Sequence, residues 1–573
     1  MLKNLALRHP YFTLFGLAWL FRLTTALFFQ QPGYTDAYYY SDIAQSLWHG
    51  RGFQEDFIWN YLARPLPATP FANPSSTYWL PLTSLVIYLG YLVSGGTSFL
   101  AAQIPMTLIS AALAPLGYYI AVDIFGPNPG ARYGWFSGFL AIFCGIYAPY
   151  FVQTDNFAPF ALLTALFLVC NYKALRLKKD VSNNHNQRRR QILKLMALAG
   201  ILAGLSYLTR VDGVFLLVVA VVSLLVYRYL LHGETALNWQ GLGLMLLTFV
   251  ITVTPWLWHN LAVSQQLFPG GGLKTLFLRE YDDFFSYVKP LDLPYYLNQT
   301  TPALEWGSGP LVLSKLSALW QNLLIVGRGT LFFMLPLFGL GLFSRFNGKA
   351  DPKTDTKNFL PDISLSWAKV GTLWRRPEFL PFGLYLMMLY LAMSLLFTFP
   401  STRGSVFHSS GGLLPFIYLT IAVGLDVAIA GLGKISRPKA AGSRLLVYRT
   451  VLVLASMFLA CYYILNPPPE WKNDYAQLRQ VAAWLDANGH TDALLMVPDA
   501  PTYYYATGKS AIVISSDPLP VDLQLAKQYG ATYLLLQPNH APAALSPLYQ
   551  KHAYPGLTLT ARFGEIELYQ INF

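Results

Sequence analysis

Asp36, Asp155, Arg210 and Arg403 have the types and the setting for chemistry on an anionic substrate, each standing in a short polar stretch between long apolar runs. Two carboxylates and two guanidiniums at one membrane face fit group transfer from a lipid phosphate. A phosphate leaving group departs as an anion, so it needs neutralising cations rather than a general acid, and Arg supplies a permanent bidentate charge. An incoming hydroxyl must lose its proton, which a positioned carboxylate can accept. Two carboxylates can also hold a divalent metal through hard oxygen ligands. Asp155 is followed by Asn156, so its turn lacks an acidic D-x-D pair, and metal dependence stays open.

Each residue also has a plainer reading. Asp36 opens the stretch Tyr40, Ile43, Ala44, Leu47, Trp48, whose spacing describes an amphipathic helix lying on the bilayer, and an Asp N-cap there is worth about 1 kcal/mol. Asp155 can cap the helix starting at Asn156, Arg210 can snorkel toward headgroups, and Asp212 can simply pair with Arg210. His408 follows Arg403 in the same polar stretch. Taken singly, each plain reading is the better one; the convergence of the set favours chemistry.

The elements that must carry these residues are membrane helices. The chain of 573 residues is 54% hydrophobic and only 12% charged, against about 25% charged in ordinary soluble domains. That excludes a soluble globular enzyme and a disordered chain. The net charge of +12 comes from basic loops, which mark cytoplasmic connections rather than nucleic-acid binding. The three cysteines, Cys144, Cys170 and Cys461, lie in apolar runs without a C-x-x-C pair, so neither a disulfide framework nor a thiolate metal site is expected.

The first apolar run, Tyr11 to Phe29, reads as an uncleaved span with its N-terminus inside. Ten further runs of spanning length lie near 98–123, 131–149, 156–173, 192–209, 213–231, 240–257, 319–344, 379–398, 411–431 and 447–465. The loop from Lys173 to Lys194, with Arg176, Lys178, Lys179 and Arg188 to Arg190, must be cytoplasmic. Parity then forbids the stretch Tyr78 to Val93 from crossing and makes it a membrane-hugging helix in an external loop spanning residues 30–98. Asp155, the Arg210–Asp212 turn and the stretch from Ser401 to Ser410 fall on the outer side. So does everything after Leu465.

After Asn466-Pro467-Pro468-Pro469 the composition becomes soluble. Helical spacing over Tyr475 to Asn488 and Val521 to Tyr529 alternates with short strand-forming runs at Leu494–Val497, Ala511–Ile514 and Thr532–Leu536. Residues 466–573 therefore read as a small external α/β domain appended to a membrane domain of residues 1–465.

Several segments together resemble one family. An Arg in the outer half of the first span (Arg22), YTDAYYYSDIAQSLWHGRGF, PSSTYWLPLTSLVIYLGYL, QTDNFAPFALLTAL, YLTRVDGVF and TPWLWHNL resemble the GT-C superfamily of polyprenyl-phosphate-dependent glycosyltransferases. The likeness covers essentially the whole chain and is strongest to the protein mannosyltransferase-like and aminoarabinose-transferase-like branch. It implies an α-helical polytopic GT-C fold of about eleven transmembrane helices with a C-terminal extracytoplasmic α/β domain, placed in the inner membrane of a prokaryote. It implies Asp36 as catalytic base or acceptor-orienting group, Asp155 as the second-loop acid, and Arg210 and Arg403 as contacts of the donor phosphate. His408, Tyr39 and Asp42 are further substrate-binding candidates, and a divalent metal, if used, falls to Asp36 and Asp155. Many relatives carry an acidic pair in the first loop, whereas Ala37 follows Asp36 here. The implied partners are a polyprenyl-phosphate sugar, membrane lipids and a lipid, glycan or protein acceptor. The rival readings are a flippase of lipid-linked sugars and an inactive assembly partner. Against the flippase, no repeated halves are visible and the charges gather at one face.

Overall fold

The computed structural model describes residues 9–63, 73–178, 185–279, 281–297, 311–344, 373–397, 404–433, 441–471, 475–538, 542–551 and 554–573. Arg403 and parts of the basic loops lie outside the described residues.

The chain is mostly helical. α1 (Pro10–Ala26) is followed by α2 (Thr35–Trp48), α3 (Leu82–Ser94), α4 (Phe99–Ala111), α5 (Leu113–Phe125), α6 (Pro127–Phe143), α7 (Tyr147–Tyr150), α8 (Phe157–Arg176), α9 (His185–Thr209), α10 (Phe215–Leu225) and α11 (Trp239–Ser264). Then come α12 (Leu311–Gly329), α13 (Leu335–Leu342), α14 (Leu380–Leu391), α15 (Ser405–Ser409), α16 (Leu414–Gly433) and α17 (Ala441–Leu465). Among the described residues, seven helical stretches are long and apolar enough to cross a membrane, from Phe99–Phe125 to Leu445–Leu465. α3 is only 13 residues long, about 20 Å at 1.5 Å per residue and short of a bilayer's ~30 Å hydrocarbon core. The apolar run at 319–344 forms no single span. The helix ends at Gly329, with Leu331 and Phe332 beyond it at φ of 56° and 51°, and the Phe332 ring lies on Gly327, where a Cβ would stand 2.7 Å away.

Two details fix the ends that matter for the site. α6 stops at Cys144 and Gly145, both with positive φ, and the chain turns there toward Asp155. Arg22, fully buried in α1, holds that turn through Nη2, which donates to the Ala141 carbonyl at 3.2 Å and to Cys144 Sγ at 3.0 Å. Arg22 thereby packs α1 against α6. At the other end of α8, Lys173 and Arg176 pair with Asp123 at the end of α5 at 3.1 and 3.0 Å, which suits the negative end of the helix dipole.

α2 corrects an expectation. Its periodicity predicts a helix lying on the bilayer, yet Ala37 through Ala44 are all buried. One face packs on α3 and the other is covered by the C-terminal segment.

That segment contains α18 (Tyr475–Ala487), β4 (Leu494–Val497), α19 (Ala500–Thr507), β5 (Ala511–Val513), α20 (Leu519–Tyr529), β6 (Ala531–Leu536), α21 (Ser546–Lys551), β7 (Leu557–Phe563) and β8 (Ile566–Ile571). The first loop supplies β1 (Gln54–Glu55), β2 (Phe57–Ile58) and β3 (Asn73–Pro74). β2 joins the C-terminal sheet, whose order is β2-β5-β4-β6-β8-β7. β2, β5, β4 and β6 run parallel, while β8 and β7 add antiparallel. The alternating burial of β7 fits a strand with one wet face.

Candidate active site

Three short turns and the entry to α2 meet at one place. The N-cap of α2 is Tyr34, with extended φ and ψ, and Asp36 is the second helical residue. Asp36 is therefore not the cap that its position suggests. Gly33 donates its N–H to Gln153 Oε1 at 3.1 Å and the Tyr34 hydroxyl donates to Asp155 Oδ2 at 2.8 Å. Thr154 Oγ1 donates to the Ala37 carbonyl at 2.9 Å. These bonds lock α2 to the turn before α8, in which Gln153 to Asn156 are fully buried.

Asp155 Oδ1 accepts the Asn156 N–H at 2.5 Å. Its Oδ2 lies 3.8 Å from His408 Nδ1, and the His408 ring stacks on Phe157 with centroids 4.2 Å apart. Oxygens of Asp36 and Asp155 and a ring nitrogen of His408 all lie within 4.8 Å of one another. Hard oxygens with one imidazole suit a divalent ion.

Arg210 supplies the positive charge. Its Nε and Nη2 donate to Asp212 Oδ2, both at 3.2 Å, Nη2 also to Ser405 Oγ at 3.0 Å, and Nη1 to Asn156 Oδ1 at 3.4 Å. Asp212 in turn accepts from Ser409 Oγ at 2.7 Å. Gly213 makes this turn possible, since a Cβ there would stand 2.3 Å from the Tyr207 nitrogen. With four of its five N–H groups engaged, Arg210 acts on a ligand mainly as a fixed charge.

The electrostatics follow from burial and like charge. Burial first, then the neighbouring Asp155, push the Asp36 carboxyl well above the ordinary carboxylate range, with Arg210 opposing. Burial pushes Asp155 up to about 6, moderated by the Asn156 N–H, the Tyr34 hydroxyl and Arg210. Burial and Asp155 also keep the Tyr34 phenol protonated, so it remains a donor. The described residues place three carboxylates against one guanidinium. Such a site favours added positive charge, from a cation or from a further Arg.

Among the expected residues, Asp36, Asp155, Arg210 and His408 come together, and Arg403 lies outside the described residues. Tyr39 and Asp42 are placed elsewhere. The Tyr39 hydroxyl accepts the Ser76 N–H at 2.7 Å, and its ring packs edge-on against Trp79, 4.8 Å away. Asp42 is buried with neither oxygen hydrogen-bonded among the described residues, and burial holds it well above its usual range. A helix buried on both faces turns these two away from the cluster. Sequence reasoning missed Tyr34, Asn156, Ser405, Ser409 and Tyr40, whose hydroxyl accepts from Asn156 Nδ2 at 3.4 Å. The only signal was Tyr40 one helical turn after Asp36.

By sequence, the chain matches no protein-family model and no curated protein. By structure it is similar to ArnT from Cupriavidus metallidurans in the apo state, with a TM-score of 0.58 at 12% identity over 98% of each chain. ArnT bound to undecaprenyl phosphate gives 0.57 at 13% identity, again over 98% of each. The Archaeoglobus fulgidus oligosaccharyltransferase in the apo form gives 0.53 at 12% identity, over 92% of this chain and 69% of that one. The chain shares the fold of these proteins. Other structures of the archaeal enzyme hold an inhibitory peptide with a dolichol-phosphate, or Zn and sulfate.

Proposed function

We propose that this chain is an integral membrane glycosyltransferase that moves a sugar from a polyprenyl-phosphate donor to a hydroxyl of a lipid, glycan or protein acceptor, with inversion. One observation carries the reading: Asp36, Asp155 and Arg210 are brought to one partly buried cluster in a chain whose fold is shared with proteins solved with undecaprenyl phosphate and dolichol-phosphate. The basic loops support an N-terminus inside, and residues 466–573 as an external α/β domain beside a membrane domain of residues 1–465. An inner membrane of a prokaryote suits this arrangement.

In this mechanism the acceptor oxygen attacks the anomeric carbon, its proton passes to Asp36, and the sugar–phosphate bond breaks with its electron pair leaving on the phosphate. Arg210, joined by Arg403, stabilises that departing charge most in the transition state. Asp36, Asp155 and His408 are the groups that would hold a divalent ion, which would supply further positive charge for the phosphate. His408 and Asn156 orient Asp155 and Arg210 through the contacts above.

The test is a detergent-solubilised assay with lipid-phosphate sugar and a panel of acceptors, where no membrane separates two compartments. An enzyme releases free polyprenyl phosphate, at a rate that falls in Arg403→Ala and also in Arg403→Lys, since an ammonium cannot reproduce the bidentate fork. Donor movement across liposomes without any release in detergent would instead establish a flippase.

A further inference from the structure

The C-terminal segment reaches the residues that lead into Asp36. The Thr35 hydroxyl donates to Asp499 Oδ2 at 2.8 Å, across 464 positions of sequence. Asp499 is the N-cap of α19, accepting the Thr502 N–H at 3.3 Å and the Thr502 hydroxyl at 2.7 Å. Its carboxylate is therefore held on three sides, and its position is set by α19 rather than by Thr35. Just before it, Gly33 lies against the Trp471 indole so closely that a Cβ would stand 2.5 Å from the ring, and Tyr34 packs on the same indole at 5.3 Å. Three consecutive residues before Asp36 are thus gripped by the segment after Leu465.

A second grip fixes the far end of α2. Tyr504 of α19 donates to Asp56 Oδ2 at 2.6 Å and accepts from Arg51 Nη2 at 3.1 Å, and β2 pairs with β5 just beyond. Along the helix, Tyr38 meets Tyr505 edge-on at 5.2 Å. α2 is held along its length by α19, and the Thr35–Asp499 bond is the contact adjacent to the catalytic carboxylate.

We infer that Asp499 is a positioning residue for the transfer reaction: through the Thr35 hydroxyl it fixes the first turn of α2 and with it the direction of the Asp36 carboxylate. This inference rests on the glycosyltransferase reading for its kinetic consequence, but its structural half stands on the Thr35–Asp499 bond alone. The bond lies outside the reacting groups, so its loss changes how often Asp36 is aligned rather than how tightly the donor binds. A misplacement of about 1 Å can cost on the order of 10²-fold in rate.

The experiment uses the full chain and four variants. Thr35→Val is isosteric and removes only the hydroxyl; Thr35→Ser restores it. Asp499→Ala removes the acceptor together with the α19 cap, and the double variant closes a cycle. Thr35→Val and Asp499→Ala should each lower kcat by about tenfold or more with donor KM within about twofold, Thr35→Ser should recover most of the loss, and the double variant should be no worse than Asp499→Ala alone. Additive losses, or an unchanged kcat in Thr35→Val, would overturn the inference. Hydrogen exchange of the amides from Tyr34 to Tyr40 gives a readout independent of activity: it should rise in Thr35→Val and return to normal in Thr35→Ser. Unchanged exchange refutes the latch even in an enzyme that works. Raised exchange in a chain that transfers no sugar keeps the latch and discards the transferase.

Discussion

The Tyr34 hydroxyl donates to Asp155 at 2.8 Å, joining the N-cap of α2 to the turn that opens α8, 121 residues further on. The phenol thereby occupies one Asp155 oxygen and helps to keep that carboxylate ionised. Tyr34→Phe leaves the ring packed on Trp471 but strips this bond. A hydrogen bond to a charged group is worth about 1.5–3 kcal/mol, so turnover should fall by roughly tenfold while the purified yield stays normal. Wild-type turnover in Tyr34→Phe would show that Asp155 works without it.

Asp36→Asn separates base from scaffold. Because Tyr34 holds the cap position, replacing the Asp36 carboxylate costs no capping bond. Asparagine keeps the shape and removes the proton acceptor, so turnover should drop by about 10²-fold or more with donor affinity retained. Near-normal turnover would remove Asp36 from the chemistry.

How much of this was legible in the sequence follows from range. Asp36, Asp155, Arg210 and His408 stand out because polar residues in turns between apolar runs have few structural reasons to be there. The runs at Leu494–Val497 and Ala511–Val513 and the helix from Tyr475 show in local periodicity. β2 is two residues long and exists only because β5 offers an edge, so no window of sequence contains it. The same long-range cover misled the reading of α2. Its apolar spacing was real, but the opposite face, with Tyr38 and Asp42, is buried under α19, and so Tyr39 and Asp42 are turned from the cluster. The Tyr34 hydroxyl and the Asn156 side chain bond to partners more than fifty positions away.

The surplus of negative charge around Arg210 predicts a metal requirement. Dialysis against EDTA should abolish most of the turnover and Mg or Mn should restore it. An outer-shell partner alone is worth about 10–100-fold in metal affinity, so losing a ligand in His408→Ala should raise the half-saturating metal concentration by at least about tenfold. Full activity after exhaustive chelation would leave charge neutralisation to the arginines.

Glu55 predicts a pH dependence of stability. Burial pushes its carboxyl from an ordinary 4.5 up to about 8, opposed by a hydrogen bond with Tyr39. A folded-state pKa above the unfolded one means that the native chain binds the extra proton, so this stability is complete below about 4.5 and is lost as pH rises through about 8. Glu55→Gln mimics the protonated form. Melting of the two proteins in detergent should nearly coincide at pH 5, and the variant should be the more stable at pH 9. A difference that does not change with pH would mean that Glu55 is ionised in the fold.

The topology itself is open to a chemical test, and the structure chooses the positions. Ser286 is a poor probe, since it is buried with its hydroxyl donating to Asp517 at 2.6 Å. Val288, two residues on, is 52% exposed, and Gln187 at the start of α9 is exposed beside the Arg188 to Arg190 triplet. In a background with Cys144, Cys170 and Cys461 replaced, single cysteines at these two positions should react with a membrane-impermeant maleimide from opposite sides. The Gln187→Cys thiol should label only after the membrane is opened and the Val288→Cys thiol in intact cells. Between Gln187 and Val288 lie the apolar stretches Asn186–Thr209, Val211–Leu230 and Trp239–Ser264, an odd number of crossings, so opposite labelling is what the three helices require. Labelling from one side would mean that one of the three does not cross.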